Sequence, residues 1–320
     1  MENLPMHGCM KRRLLYASAQ AYHPGVEASR RVVEWIEPPI IVRRNGEIGH
    51  RAIDLALVGR VREGVVVAFR GSLPPALRSG EDGWAVLLDW LNDSLSLCVD
   101  LVEYGGGVHL GFADSMWRLW QDADGTPGVR SAVQRLLDRS RVDHAARPHL
   151  FLTGHSKAGA LANLAAYRAA RLPAWRDLPI SVATIAAVRV GNAAFARAYA
   201  DERIACLRYE IPSDLVPHLP PGPATPRWLH AIARQIAPRL ATADYHPVGE
   251  RVSAEPLGAP WLSAWLRHLT GIFSVRGMKL AAFSPAALAA HAISPQSAYD
   301  RLICTGEATC EHGAPGQATA

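Results

Sequence analysis

Leu150-Phe151-Leu152-Thr153-Gly154-His155-Ser156-Lys157-Ala158-Gly159-Ala160-Leu161-Ala162 is the stretch from which the fold is read. An apolar run stops at Gly154, and an alanine-rich, helix-favouring run starts after Ser156. Between them lies Gly-x-Ser-x-Ala, which reads as a strand, a sharp turn and a helix with a serine at the tip. Such a turn strains the serine backbone and crowds the residues two before and two after it. Gly154 and Ala158 are small enough for that crowding, and Gly159 and Ala160 let the helix lie close to the sheet. Ala158 departs from the usual glycine by one methyl group. The turn also sets the Lys157 N–H at a helix N-terminus, where it can stabilise a developing oxyanion. An ordinary turn satisfies the same five-residue pattern, so the rest of the chain has to discriminate.

Upstream, residues 12–36 read as helical with an interruption at Pro24-Gly25. Residues 47–69 read as a β-hairpin, with strands at 53–58 and 65–69 and a turn at 59–64. The second of these strands is apolar throughout, as expected of a strand covered on both faces. It ends in Arg70-Gly71-Ser72, and the C-terminal ends of such strands are where ligand sites form. In residues 84–95, Trp84, Leu87, Leu88, Leu91 and Leu95 share one helical face, which suits either a core helix or a mobile lid. Gly105-Gly106-Gly107 reads as a loop, followed by Val108-His109-Leu110-Gly111-Phe112 and a helix with Met116, Trp117 and Trp120. A further helix is expected over 129–137.

Downstream, residues 181–188 and 204–211 read as strands, with a helix to about residue 200 between them. The second strand leads into Pro212-Ser213-Asp214-Leu215-Val216-Pro217, a turn whose prolines hold an acidic residue in a fixed orientation. Residues 222–290 are read as an irregular cap or substrate wall. His291 precedes a last helix with Tyr299 and Leu302, and residues 305–320 read as a disordered tail. Alternating strands and helices indicate one α/β domain over 1–304, with a mostly parallel central sheet and helices on both faces.

With 320 residues, 49% of them hydrophobic, the chain can bury a sizeable core. Its net charge of +5 is spread out, without basic runs interleaved with aromatics, which argues against nucleic acid as a partner. The five cysteines form no Cys-x-x-Cys pair and read as free thiols, with Cys304–Cys310 the one bridge worth considering. The 13 histidines show no metal-ligand spacing, so neither metal nor cofactor is expected. No apolar run is long enough to span a bilayer, and the first residues do not resemble a signal peptide, so a cytoplasmic location is expected, with signal-independent export left open.

Taken together, these pieces resemble the class 3 lipases, the fungal-lipase-like branch of the α/β hydrolases. The resemblance rests on Val67-Ala68-Phe69-Arg70-Gly71-Ser72, Asp89-Trp90-Leu91-Asn92-Asp93, Val108-His109-Leu110-Gly111-Phe112, Gly154-His155-Ser156, Arg189-Val190-Gly191-Asn192 and Asp214-Leu215-Val216-Pro217-His218. These motifs stand in the family's order, with a weaker match at His291. Two departures are Ala158 and Ala187-Val188, the latter where the family tends to have Ser-Pro.

The resemblance implies the α/β-hydrolase fold and a Ser-His-Asp ester hydrolase. Ser156 would be the nucleophile, His291 the base and Asp214 its orienting carboxylate, in the chain order of this fold. The oxyanion donors would fall on Ser72 and Lys157, and the lid on residues 73–95. His246, within Tyr245-His246-Pro247, is the second candidate for the base, while His109 reads as structural. The expected substrate is an acylglycerol-type lipid ester, met at a lipid–water interface or as a small ester. Phospholipase A1 and acyltransferase chemistry use the same triad. A non-catalytic lipid-binding relative is the remaining alternative.

Overall fold

The computed structural model describes residues 8–25, 32–45, 52–71, 97–143, 147–227, 230, 243–253 and 290–304. The expected lid at 73–95, Ser72, most of the expected cap and the tail at 305–320 lie outside the described residues. Helix α1 spans Gly8–Gln20, followed by strands β1 (Ile40–Asn45), β2 (Ala52–Val61), β3 (Gly64–Phe69), β4 (Cys98–Leu101) and β5 (Gly106–His109). Helices α2 (Leu110–Trp120) and α3 (Val129–Asp143) precede β6 (His149–His155), α4 (Lys157–Ala170) and β7 (Ile180–Ile185). Then come β8 (Gly191–Asn192), α5 (Ala193–Asp201), β9 (Ile204–Tyr209), β10 (Tyr245–His246), β11 (Glu250–Val252) and α6 (Ala298–Cys304).

The main sheet has the order β1-β2-β3-β6-β7-β9-β11. From β3 to β11 its neighbours run parallel, and β1, β2 and β3 form an antiparallel edge. A smaller antiparallel sheet, β10-β8-β5-β4, adjoins it in sequence. Strands β3, β6 and β7 are buried at every position, which is why their sequences run apolar without alternation. Successive side chains still point to opposite faces. Val65, Val67 and Phe69 enter a core with Phe112, Met116, Leu137 and Leu161, while Val66 and Ala68 meet Leu14, Leu15 and Tyr299. Helices thus cover both faces, as expected from the sequence: α2 to α5 on one side, α1 and α6 on the other.

Local differences from the sequence reading have identifiable causes. The hairpin turn is two residues, Arg62 and Glu63, rather than 59–64. Gly59 stays in β2 because the Trp35 ring lies against it, where a Cβ would approach to 2.6 Å. Gly64, at φ 152°, faces the His149 backbone, where a Cβ would stand 2.0 Å from the carbonyl oxygen. Strand β1 was not expected, since its charged residues obscure it. Arg44 is nonetheless buried, donating to the carbonyls of Arg118, Gln121 and Pro127. Helix α1 starts earlier and stops at Gln20, and two of the three glycines at 105–107 join β5 instead of a loop. Cys9 is disulfide-bonded, contrary to the expected free thiol, whereas Cys98 and Cys206 are free thiols.

A buried ion cluster joins β2, α2 and α4. The Asp54 carboxylate accepts from Lys157 Nζ at 3.0 Å and from Arg118 at 2.8 Å, and Arg118 also pairs with Asp114. Asp54 is only 1% exposed. Burial by itself would raise its pKa, but the Lys157 ammonium and the Arg118 guanidinium together hold it below the usual carboxylate value. The residue after Ser156 is therefore clamped by its side chain to the sheet.

Asp54→Asn leaves the Lys157 ammonium buried beside a neutral amide and costs about 3–5 kcal/mol in urea unfolding at neutral pH. Because the folded pKa of Asp54 lies below its unfolded value of about 3.9, its contribution is complete above that pH and is lost as pH falls through the folded value. Stability of the wild type should therefore fall more steeply than that of Asp54→Asn below about pH 4. Gly64→Ala combines a left-handed φ with a backbone clash and should lower stability by at least about 2 kcal/mol in the same assay.

Candidate active site

Ser156 sits between β6 and α4 at φ 60°, ψ −128°, a backbone that non-glycine residues adopt only when their surroundings enforce it. Its N–H donates to the Ile185 carbonyl at the end of β7 (3.0 Å), and its carbonyl accepts from Gly159 N–H (3.0 Å). Crowding behind the turn explains the small residues. A Cβ at Gly154 would lie 2.2 Å from the Ala158 carbonyl oxygen, and one at Gly159 would lie 2.3 Å from the Ala187 Cβ. The two departures noted in sequence, Ala158 and Ala187, are therefore the residues pressed against the two glycines. The Ala158 methyl is accommodated fully buried. Lys157 opens α4, so its N–H belongs to a helix N-terminus, where the helix dipole favours negative charge.

Asp214 stands in the turn after β9, its N–H donating to the Ile211 carbonyl at 3.1 Å. Its carboxylate is buried and fully engaged. Oδ1 accepts from Val216 N–H at 2.9 Å, and Oδ2 accepts from the Tyr299 hydroxyl and from His291 Nδ1, both at 2.8 Å. Burial pushes its pKa up, but His291 and these hydrogen bonds outweigh that and leave it below the ordinary value. The carboxylate is therefore ionised, so Nδ1 of His291 carries the proton and Nε2 is left as the basic nitrogen.

The structure thus brings Asp214 and His291 together across 77 residues of chain. It brings both to the serine turn through His155, the residue before Ser156. The His155 and His291 rings lie 4.4 Å apart between centroids, and His155 Nε2 bonds the His291 carbonyl oxygen at 2.8 Å. His246 is elsewhere, on β10, with its Nε2 on Asp244 Oδ1 at 2.9 Å. His109 is buried against Phe112, with ring centroids 3.9 Å apart, and burial pushes its pKa down to about 3. It has the structural character expected from the sequence. Ser72, the other expected oxyanion donor, lies outside the described residues; the preceding Gly71 follows β3 at the same end of the sheet as Ser156.

Tyr299 and Tyr22 are neighbours of the candidate residues whose contacts sequence reasoning missed. Tyr299 holds Asp214 from α6, and the Tyr22 hydroxyl lies 2.9 Å from His155 Nδ1. Nothing in the local pattern around either tyrosine marks its distant partner. Among the described residues, no group of three or more His, Cys, Asp or Glu side chains is arranged to hold a metal ion, and no helix is long and apolar enough to cross a membrane.

Solved structures share this fold. The lipase from Rhizopus microsporus var. chinensis superposes with a TM-score of 0.52 at 21% identity, covering 78% of this chain and 75% of that one. Lipase II from Rhizopus niveus gives 0.51 at 21%, covering 77% and 80%. M37 lipase gives 0.50 at 17%, covering 84% and 93%. At these identities the likeness shows the α/β fold and nothing finer. No curated protein matches. The family model Lipase (class 3) matches residues 66–223. That span runs from β3 through the serine turn to the loop after Asp214, and over it the chain is similar to the class 3 lipases.

Proposed function

We propose that the protein is a serine carboxylic ester hydrolase that cleaves acylglycerol-type lipid esters through Ser156, His291 and Asp214. One observation carries the reading. A buried, ionised carboxylate and a histidine that it orients pack against His155, the residue before a serine held at a left-handed turn between strand and helix. A nucleophile, a base and an orienting group are the minimum for acyl transfer.

The steps follow from the atoms. His291 Nε2 takes the Ser156 hydroxyl proton as Oγ attacks the ester carbonyl. Asp214 keeps the imidazole in the tautomer that makes Nε2 the acceptor and stabilises the imidazolium that forms. The tetrahedral oxyanion is held by the Lys157 N–H at the start of α4 and by Ser72, which follows Gly71 in the sequence. Losing one such donor costs about 3–4 kcal/mol of transition-state stabilisation. His291 then protonates the leaving alcohol. Water, activated by the same nitrogen, releases the fatty acid from Ser156. The ion pair between Asp54 and Lys157 fixes the side chain of the donor residue, so that its amide direction is set before substrate arrives.

A fluorophosphonate probe should label the wild type once per chain, and labelling should vanish in Ser156→Ala and in His291→Ala. Labelling retained in His291→Ala would move the base elsewhere, and His246 would be tested next. Asp214→Asn should lower kcat by about 10³–10⁴-fold with a small change in KM. On p-nitrophenyl esters of increasing chain length, hydrolysis of eight-carbon and longer esters supports the lipid substrate; hydrolysis of acetate alone removes it.

A further inference from the structure

His155 is buried beside the proposed base, yet the reaction as derived gives it no task. Burial, with the neighbouring His291 adding to it, pushes its pKa down to about 3, so the ring is neutral and carries one N–H. Its Nε2 faces a carbonyl oxygen, that of His291, at 2.8 Å, which assigns the proton to Nε2. Its Nδ1 is then an acceptor, and the Tyr22 hydroxyl donates to it across 2.9 Å. The two rings also meet edge to face, with centroids 5.8 Å apart.

Tyr22 in turn reaches the other side of the site. It lies just beyond α1, and its hydroxyl packs on Gly71, where a Cβ would stand 2.1 Å from that oxygen and 2.8 Å from the His155 carbonyl oxygen. Gly71 immediately precedes Ser72. A directed chain therefore runs from the strand end at Gly71, through the Tyr22 hydroxyl and the His155 ring, to the His291 main chain. The ring of His291 is fixed separately by Asp214. Asp214 sets which way the imidazole faces; it does not set where the backbone that carries it sits.

We propose that Tyr22 and His155 are positioning residues, which hold the His291 backbone at a fixed distance from Ser156 and from the strand end leading to Ser72. This rests on His291 being the base. His155 suits the task because it is tied by covalent bonds to Ser156, so any hydrogen bond from its ring to His291 registers the base directly against the nucleophile. A misplacement of about 1 Å between such groups can cost a factor of about 100 in rate.

The test compares His155→Leu, His155→Gln and Tyr22→Phe on a soluble octanoate ester, with melting temperatures measured alongside. Glutamine keeps an N–H at about the reach of Nε2, and leucine keeps only the bulk. His155→Leu should lower kcat by about 10–100-fold with KM within about twofold of the wild type. His155→Gln should recover kcat to within about fivefold of the wild type, and Tyr22→Phe should fall between the two. A His155→Leu variant with wild-type kcat overturns the proposal, as does a loss of kcat that tracks melting temperature equally in the leucine and glutamine variants. If His155→Leu fails to fold, Tyr22→Phe, which removes a single oxygen atom, decides by the same kcat criterion. His291→Ala separates the two claims. Lost turnover in that variant together with an unaffected His155→Leu defeats the positioning role alone, whereas retained turnover in His291→Ala defeats the base, and the positioning role falls with it.

Discussion

Backbone crowding between β6 and α4 is the constraint on which the site depends. Ser156 can hold φ 60° only because the chain on either side has nowhere else to go. Gly154 is pressed on the Ala158 carbonyl and Gly159 on the Ala187 methyl, so the helix axis passes close to the sheet. Hydrogen bonds to Ile185 and from Gly159 lock the turn at both ends. The strain costs on the order of 1–3 kcal/mol, and the surrounding sheet offsets it with strands buried along their whole length. A serine at the carboxyl end of a parallel sheet is the result.

Around that point the charges are arranged by burial. Asp214 has no solvent exposure of its side chain, and desolvation alone would raise its pKa. Three donors from three different segments keep it ionised: the Val216 amide, the Tyr299 hydroxyl and the His291 ring. The same logic recurs beneath the turn, where Asp54 is kept ionised by Lys157 and Arg118. His155 goes the other way. Burial, with His291 adding to it, keeps it neutral, and its two nitrogens become one donor and one acceptor. Two adjacent histidine rings thus do different electrostatic work because one faces a carboxylate and the other a hydroxyl and a carbonyl.

Features written in contiguous residues were legible in the sequence. The serine turn is an example: apolar run, small residues and alanine-rich helix all lie within 13 positions, and each has a local steric cause. Asp214 was legible through its flanking prolines and its place after a strand. His291 was legible through the family's order of motifs rather than through anything physical in its own segment. Contacts made across long stretches of chain were not legible. Tyr22 meets His155 across 133 residues, Tyr299 meets Asp214 across 85, and Lys157 meets Asp54 across 103. No periodicity announces such pairs, since each member looks locally like an ordinary helix-end or strand residue. Strand β1 was hidden for a related reason: buried Arg44 breaks the apolar pattern, and only the distant carbonyls that receive it make its burial possible.

The central claim is that Ser156 becomes acylated during turnover, and pre-steady-state hydrolysis of p-nitrophenyl octanoate tests it most directly. Acylation of Ser156 gives a burst of about one p-nitrophenol per chain wherever deacylation is the slower step, and an octanoyl group on the peptide containing Ser156 after acid quench. Steady turnover with no acyl group on that peptide, or with the acyl group on another residue, would contradict it.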